Sequence, residues 1–201
     1  MVRQGIVGIL ERSAEIDVVA EAGDGAEATR KALETRPDVA VLDVSMPRLN
    51  GFEAARRIHE ALPQTRILIL TMQEEEEYVV RSVRAGASGY LRKDGAASDL
   101  LAGIRALNDG RCYFAPSAAR AAARASLAAP PAKEDPYERL TDRERDVFHL
   151  VVEGRTNGLI AAVLAISPKT VDNHRTRLMD KLGIHSTAEL VRFAAKKHLL
   201  P

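Results

Sequence analysis

Asp43, Thr71 and Lys93 each close a short, strongly apolar run: Val39–Asp43, Arg66–Thr71 and Gly89–Lys93. If those runs are neighbouring parallel strands, a carboxylate, a hydroxyl and an ammonium meet at one edge of a sheet. That set suits a phosphoryl group carried on Asp43. An aspartyl phosphate needs a cation and hydrogen-bond donors around its oxygens. The plainer alternative is three unrelated polar residues at strand ends.

A second constellation lies near the C-terminus. Ile160, Leu164, Ile166, Val171, Leu178 and Leu182 recur at spacings that bury one face of two short helices. The other face of the second helix carries Lys169, Asp172, Asn173, Arg175, Thr176 and Lys181. Two helices joined by a tight turn form a helix-turn-helix. A helix fits the major groove of B-DNA, where such side chains reach base edges or phosphates. The alternative is a four-helix bundle with an ordinary solvated face.

The elements that must hold these residues alternate through the first half of the chain. Strands are expected at Asp17–Ala20, Val39–Asp43, Arg66–Thr71 and Gly89–Lys93. Helices are expected at Arg3–Arg12, Ala26–Thr35, Phe52–Ala61, Glu75–Ala85 and Ala96–Asp109. Alternation of this kind signals a parallel sheet covered by helices. Val39–Asp43 and Ile67–Leu70 are nearly all apolar, as strands buried on both faces are. Sites in open α/β sheets form at the carboxyl edge, where Asp43 falls.

Residues 115–138 break the alternation. The alanine-rich stretch favours helix but has little bulk to bury, and Pro130, Pro131 and Pro136 stop any helix that forms. The segment reads as a linker with a helical first half. It joins a domain at 1–114 to a wholly helical one at 139–201. There Thr141 and Glu144 make a capping box, and Gly154 and Gly183 end helices. Ser167-Pro168 opens the reading helix with a cap and a proline at its first position. A last helix is expected at Thr187–Leu199.

Composition agrees with a globular protein: 201 residues, 46% hydrophobic, 28% charged, formal net charge +1. No apolar run approaches the roughly 18 residues of a membrane span, and the N-terminus does not read as a secretory signal. The single cysteine, Cys112, suits a reducing cytoplasm. Charge is uneven: residues 1–114 hold 15 Lys+Arg against 18 Asp+Glu, and residues 115–201 hold 14 against 10. A mildly basic second part is compatible with a polyanion. The run Glu74–Glu77 reads as a solvated helix start that favours the helix dipole. His59 and His149 have no companion at metal-ligand spacing.

The stretch from Leu140 to Leu200 resembles the LuxR-type helix-turn-helix along its whole length. The shared pieces include Leu140-Thr141 with Arg143-Glu144, Glu153-Gly154, Ile160-Ala161, Ile166-Ser167, Thr170-Val171, His174, Lys181-Leu182-Gly183 and Glu189-Leu190. The resemblance implies binding to double-stranded DNA through Lys169, Thr170, Asp172, Asn173, His174, Arg175, Thr176 and Lys181. It implies pairing on DNA through the last helix, with Leu190, Val191 and Ala194 as contacts. Gly158-Leu159 departs from the family's usual Lys-Glu pair.

DVSMPRLNGFEA, LILTM and AGASGYLRK resemble the receiver domain of NarL/FixJ-type response regulators. The implied fold is a flavodoxin-like parallel sheet followed by an all-α, four-helix domain. Asp43 is then the phosphoacceptor, Thr71 the switch hydroxyl, Lys93 the phosphate-binding lysine and Tyr90 the aromatic that changes rotamer. A sensor histidine kinase is the implied partner and Mg²⁺ the implied cofactor. Receivers, however, open with a strand that ends in two acidic residues, and Met1–Ile6 already aligns with the helix after it. Asp43 and the Ser45 carbonyl are the Mg²⁺ ligands that remain; Asp24 is expected on the same edge but on a different strand, and not as a substitute for the pair. A start codon set too late, a truncated form and a short variant with a rearranged sheet are the three readings. No enzyme is expected: aspartate-nucleophile phosphotransferases and hydrolases place a second aspartate two residues on, and Ser45 stands there. The expected function is a DNA-binding transcriptional regulator controlled by phosphorylation of Asp43 in the full-length form. The alternative is a phosphorylation-independent regulator with a degenerate receiver.

Overall fold

The computed structural model describes residues 2–47, 49–73, 75–127, 136–197 and 199. Glu74 and residues 128–135, with Pro130 and Pro131, lie outside the described residues. The chain divides into two compact units, Met1–Leu127 and Ala128–Pro201, each considered by itself.

The first unit begins with α1 (Val2–Leu10) and α2 (Gly25–Thr35). It continues through β1 (Val39–Asp43), α3 (Gly51–Ala61), β2 (Arg66–Thr71), α4 (Glu76–Arg84) and β3 (Gly89–Arg92). It closes with α5 (Ala97–Asn108), β4 (Tyr113–Phe114) and α6 (Pro116–Leu127). Among the described residues the sheet is parallel and four-stranded, in the order β1-β2-β3-β4. Side chains alternate across β2. Ile67 and Ile69 enter one apolar cluster with Ile58 of α3 and Val79 of α4. Leu68 and Leu70 enter another with Leu10, Leu100, Ile104 and Leu107. Both faces are covered, which is why the strand reads as an unbroken apolar run.

Three expectations need correction here. Asp17–Ala20 is not a strand. Ile16 and Val18 do pack against the Leu68 cluster, but a strand requires a hydrogen-bonded neighbour, and β-branched residues do not supply one. The sheet also gains β4, a pair of residues too short to stand out as a pattern. Third, the alanine-rich helix is part of the first unit, which therefore runs past residue 114. Ala118, Ala121 and Ala122 of α6 are buried and the helix packs along α4. Small side chains let two helices approach closely, so low bulk did not mean nothing to bury.

The second unit opens with a 3₁₀ turn at Pro136–Arg139. Among the described residues its α-helices are α7 (Asp142–Val152), α8 (Asn157–Leu164), α9 (Pro168–Leu182) and α10 (Thr187–Lys196). Phe148, Leu150, Ile160, Val171, Leu178, Leu190 and Ala194 form one core. Thr141 accepts from Glu144 N while the Glu144 side chain takes the Thr141 amide, the full capping box.

Candidate phosphoacceptor site and nucleic-acid interface

β1 and β2 deliver Asp43 and Thr71 to the carboxyl edge of the sheet, and Lys93 follows β3 directly. The Lys93 amide donates to the Thr71 carbonyl at 2.8 Å, which locks it beside β2. Its ammonium lies 2.5 Å from Asp43 Oδ2, and the Ser45 amide donates to Asp43 Oδ1 at 2.8 Å. The Asp43 side chain keeps 33% of its exposure, so an incoming group can reach it. The loop after Asp43 is held by close backbone packing. A Cβ on Gly51 would sit 2.1 Å from the Asp43 carbonyl oxygen, and one on Gly25 would sit 2.1 Å from that of Leu49. Only glycine admits either approach.

Thr71 is buried, and its hydroxyl accepts from the Gln73 amide at 3.1 Å. Tyr90 is buried behind it and donates its hydroxyl to the Gln73 carbonyl at 2.8 Å. Burial raises the Tyr90 pKa far above its ordinary value, against the lowering effect of a hydrogen bond with Thr71. Its hydroxyl is therefore a neutral donor. Asp43 and Lys93 are thus in direct contact, and Thr71 and Tyr90 also meet on Gln73.

The donor set does not fit Mg²⁺. This cation demands near-octahedral oxygen coordination. Among the described residues no group of three His, Cys, Asp or Glu side chains is placed to hold a metal. Asp43 is engaged by Lys93 and Ser45. Asp24 is buried and caps α2, accepting the Glu27 amide at 2.9 Å. Asp43 with the Ser45 carbonyl is not a cage for the ion.

In the second unit α8 and α9 are joined by a turn in which Ala165 takes a left-handed conformation, φ 53° and ψ 44°. Ser167 caps α9, accepting the Thr170 amide at 3.0 Å. Val171 and Leu178 anchor the helix in the core, and Lys169, Asp172, Asn173 and Thr176 are exposed. Thr170 and His174 are half-buried, and the Thr170 hydroxyl shares a hydrogen bond with Ser167. Two of the expected DNA contacts are engaged inside the unit instead. Arg175 donates to Asn157 Oδ1 at 2.8 Å and to Thr187 Oγ1 at 3.0 Å, tying α9 to the first residues of α8 and α10. Lys181 pairs with Glu144 at 2.6 Å. Arg177, absent from the sequence-based set, is exposed one turn after Asn173. Its position four residues on was the available signal.

Residues 1–105 match the response regulator receiver domain, and residues 138–194 match the luxR family of bacterial regulatory proteins. The chain is a response regulator of the LuxR family. Among its relatives is the oxygen regulatory protein NreC of Staphylococcus epidermidis, 38% identical over 206 residues, spanning 100% of this chain and 94% of the relative. A LuxR-family two-component response regulator from Aurantimonas has a similar structure. Its TM-score is 0.57 at 37% identity, over 63% of this chain and 91% of that one. The two-component response regulator RcsB in complex with DNA gives a TM-score of 0.55 at 26% identity, over 96% of this chain and 92% of that one. The regulator is accordingly a DNA-binding two-component protein, a receiver followed by a helix-turn-helix unit. Among its described residues no helix is long and apolar enough to cross a membrane.

Proposed function

We propose that Asp43 is the phosphoacceptor, charged by a sensor histidine kinase in the cytoplasm, and that its phosphorylation controls how α9 engages DNA as a homodimer. The observation that carries this reading is the 2.5 Å contact between Lys93 and Asp43. An Asp43 oxygen attacks phosphorus, the donor's P–N bond breaks, and the new O–P bond leaves an acyl phosphate. The Lys93 ammonium lies where it can neutralise the phosphoryl oxygens. Lys93 stands next to the switch hydroxyl, its amide bonded to the Thr71 carbonyl. Thr71 in turn holds Gln73, the acceptor of the Tyr90 hydroxyl. Asp172, Asn173 and Thr176 are assigned to base edges, and Lys169 and Arg177 to phosphates. Arg175 and Lys181 support the helix from within, and Thr170 and His174 lie at its margin. The test is operator affinity of the phosphorylated regulator against Asp43→Asn. Phosphorylation is expected to change affinity by about ten-fold, equivalent to about 1.4 kcal/mol of coupling. Equal affinity in the two states overturns the reading.

A further inference from the structure

α8 reads Asn-Gly-Leu-Ile-Ala-Ala-Val-Leu and carries no charged side chain. Its polar residue, Asn157, accepts from Arg175 at 2.8 Å and is engaged within the unit. Ile160 and Ala161 are buried in the core, and Leu164 packs against it. Residues three and four apart share a face of a helix, so Leu159, Ala162 and Val163 form the opposite one. Leu159 is 52% exposed and Val163 46%, and Ala162 is exposed beside them. A helix that is apolar all round is ordinarily buried all round. Here one face lies in the core of the unit and the other is exposed. Gly158-Leu159 is also where the chain lacks the Lys-Glu pair usual in the family.

The chemistry of this face selects what covers it. DNA phosphates are met by cations, and the face has none; Lys169 and Arg177 are exposed on α9 instead. A charged or polar partner surface would lose its water there without gaining hydrogen bonds. The size of the face argues against a complex formed from solution. Two aliphatic side chains and an alanine fall well short of the roughly 800 Å² per partner of a standard interface. So small an apolar contact counts only where its partner is already held close by, since tethering raises the effective concentration to about the millimolar range. DNA does this for copies of this chain. Each copy is placed on the duplex by its helix-turn-helix and brings the same uncharged face. Two such faces are self-complementary, as an isologous two-fold contact requires.

We propose that the face formed by Leu159, Ala162 and Val163 of α8 is a contact between copies of this chain bound at neighbouring sites on one DNA duplex. It makes occupation of the second site cooperative and acts only when both copies are on DNA. The inference rests on DNA binding by the helix-turn-helix unit and is independent of Asp43 and of pairing through α10.

The test uses the full chain and duplexes that carry one or two copies of a site selected from random-sequence DNA. In the two-site duplexes the spacing is varied in steps of about 5 base pairs, half a helical turn. Affinities are read by gel shift and melting temperatures by calorimetry. The wild-type chain is expected to fill the second site about ten-fold more tightly than the first where both sites lie on one side of the duplex, and to lose that gain half a turn away. Leu159→Glu with Val163→Lys, a pair whose spacing suits a helix, is expected to abolish the gain while single-site affinity and melting temperature stay at wild-type values. Leu159→Ala with Val163→Ala places the best helix former at both positions. It is expected to abolish the gain as well, and it decides the matter where the charged pair lowers the melting temperature. Leu159→Met with Val163→Ile is expected to retain the gain. Cooperativity that is absent from the wild type, or equal in the wild type and the alanine pair, overturns the proposal and leaves the face to a different protein. Loss of single-site affinity in the alanine pair at an unchanged melting temperature also overturns it, because the face would then belong to the contact with the site itself.

Discussion

Lys181, in the last turn of α9, places its ammonium 2.6 Å from the Glu144 carboxylate in the first turn of α7. The same oxygen accepts the Thr141 amide at 2.7 Å, so one carboxylate completes a helix cap and fixes the far end of the reading helix. Glu144 is 3% exposed. Burial acts to raise its pKa, but the hydrogen bonds from Lys181 and Thr141 outweigh that and hold it below the ordinary 4.5. A carboxyl depressed in the folded state contributes stability above its unfolded pKa and loses that contribution as pH falls through its folded pKa. The second unit is therefore expected to weaken below about pH 4.5. Lys181→Met, which leaves the carboxylate without its cation, is expected to cost about 1–3 kcal/mol at neutral pH. Differential scanning calorimetry from pH 7 to pH 3 checks both. A pH-independent difference between wild type and Lys181→Met would remove the role given to the pair.

Asn173 and Arg177 are both exposed on α9, whereas Arg175 is spent on Asn157 and Thr187. Asn173→Ala is expected to relax sequence preference by about 1–3 kcal/mol at the preferred site. Arg177→Ala is expected to weaken all sequences alike and to lower the salt slope by about one. Arg175→Ala is expected to lower the melting temperature of the second unit as well as affinity. Site selection with Asn173→Ala, and salt titrations with the two arginine variants, separate these roles. An unchanged melting temperature in Arg175→Ala would return that residue to the DNA contacts.

Much of this arrangement was legible because it is local. Val39–Asp43 and Arg66–Thr71 were readable from apolar runs that end in a polar residue, and Thr141 with Glu144 from a four-residue pattern. What escaped depended on distant partners. Asp17–Ala20 has strand chemistry but no neighbour. Ala118, Ala121 and Ala122 look uncommitted until α4 is beside them. Arg175 and Lys181 read as DNA contacts by type and spacing. Only the fold brings Asn157, Thr187 and Glu144 to them, at separations of 18, 12 and 37 residues.

Ala165 holds φ 53° in the turn between α8 and α9, a conformation that costs an L-residue roughly 1–2 kcal/mol relative to glycine. Glycine gives back part of that through its freer unfolded chain. Ala165→Gly is expected to stabilise the second unit by about 0.5–1 kcal/mol, measured by urea denaturation with the slope unchanged. Destabilisation would show that the methyl group is worth more than the strain.

Leu190 and Ala194, expected at a dimer contact, are fully buried in the core of their own unit, while Val191 remains 36% exposed on α10. Pairing through α10 must therefore use the Val191 face. Val191→Asp is expected to leave the melting temperature unchanged and to reduce cooperative binding to two half-sites about one helical turn apart. Analytical ultracentrifugation on operator DNA reads the stoichiometry. Two chains per operator at wild-type affinity in the Val191→Asp variant would place the interface elsewhere.

Among the described residues Asp43 stands with one cation and one amide around it and no companion carboxylates, and phosphoryl transfer depends on neutralising charge at the phosphorus. Residues 1–201 are expected to take up little phosphate from acetyl phosphate and Mg²⁺. An extension of roughly 12–15 residues, a strand ending in two acidic residues plus its loop, is expected to raise labelling at Asp43 by at least about ten-fold. Asp43→Asn in the extended protein should abolish it. Lys93→Met should lower it while leaving the fold intact, since the Lys93 amide rather than its ammonium holds the backbone to Thr71. Phosphate incorporation is measured by intact-mass spectrometry and the position by peptide mapping after hydroxylamine or borohydride trapping. Labelling of residues 1–201 at the rate of the extended protein would show that Asp43, Ser45 and Lys93 suffice, and the requirement for added carboxylates would fall.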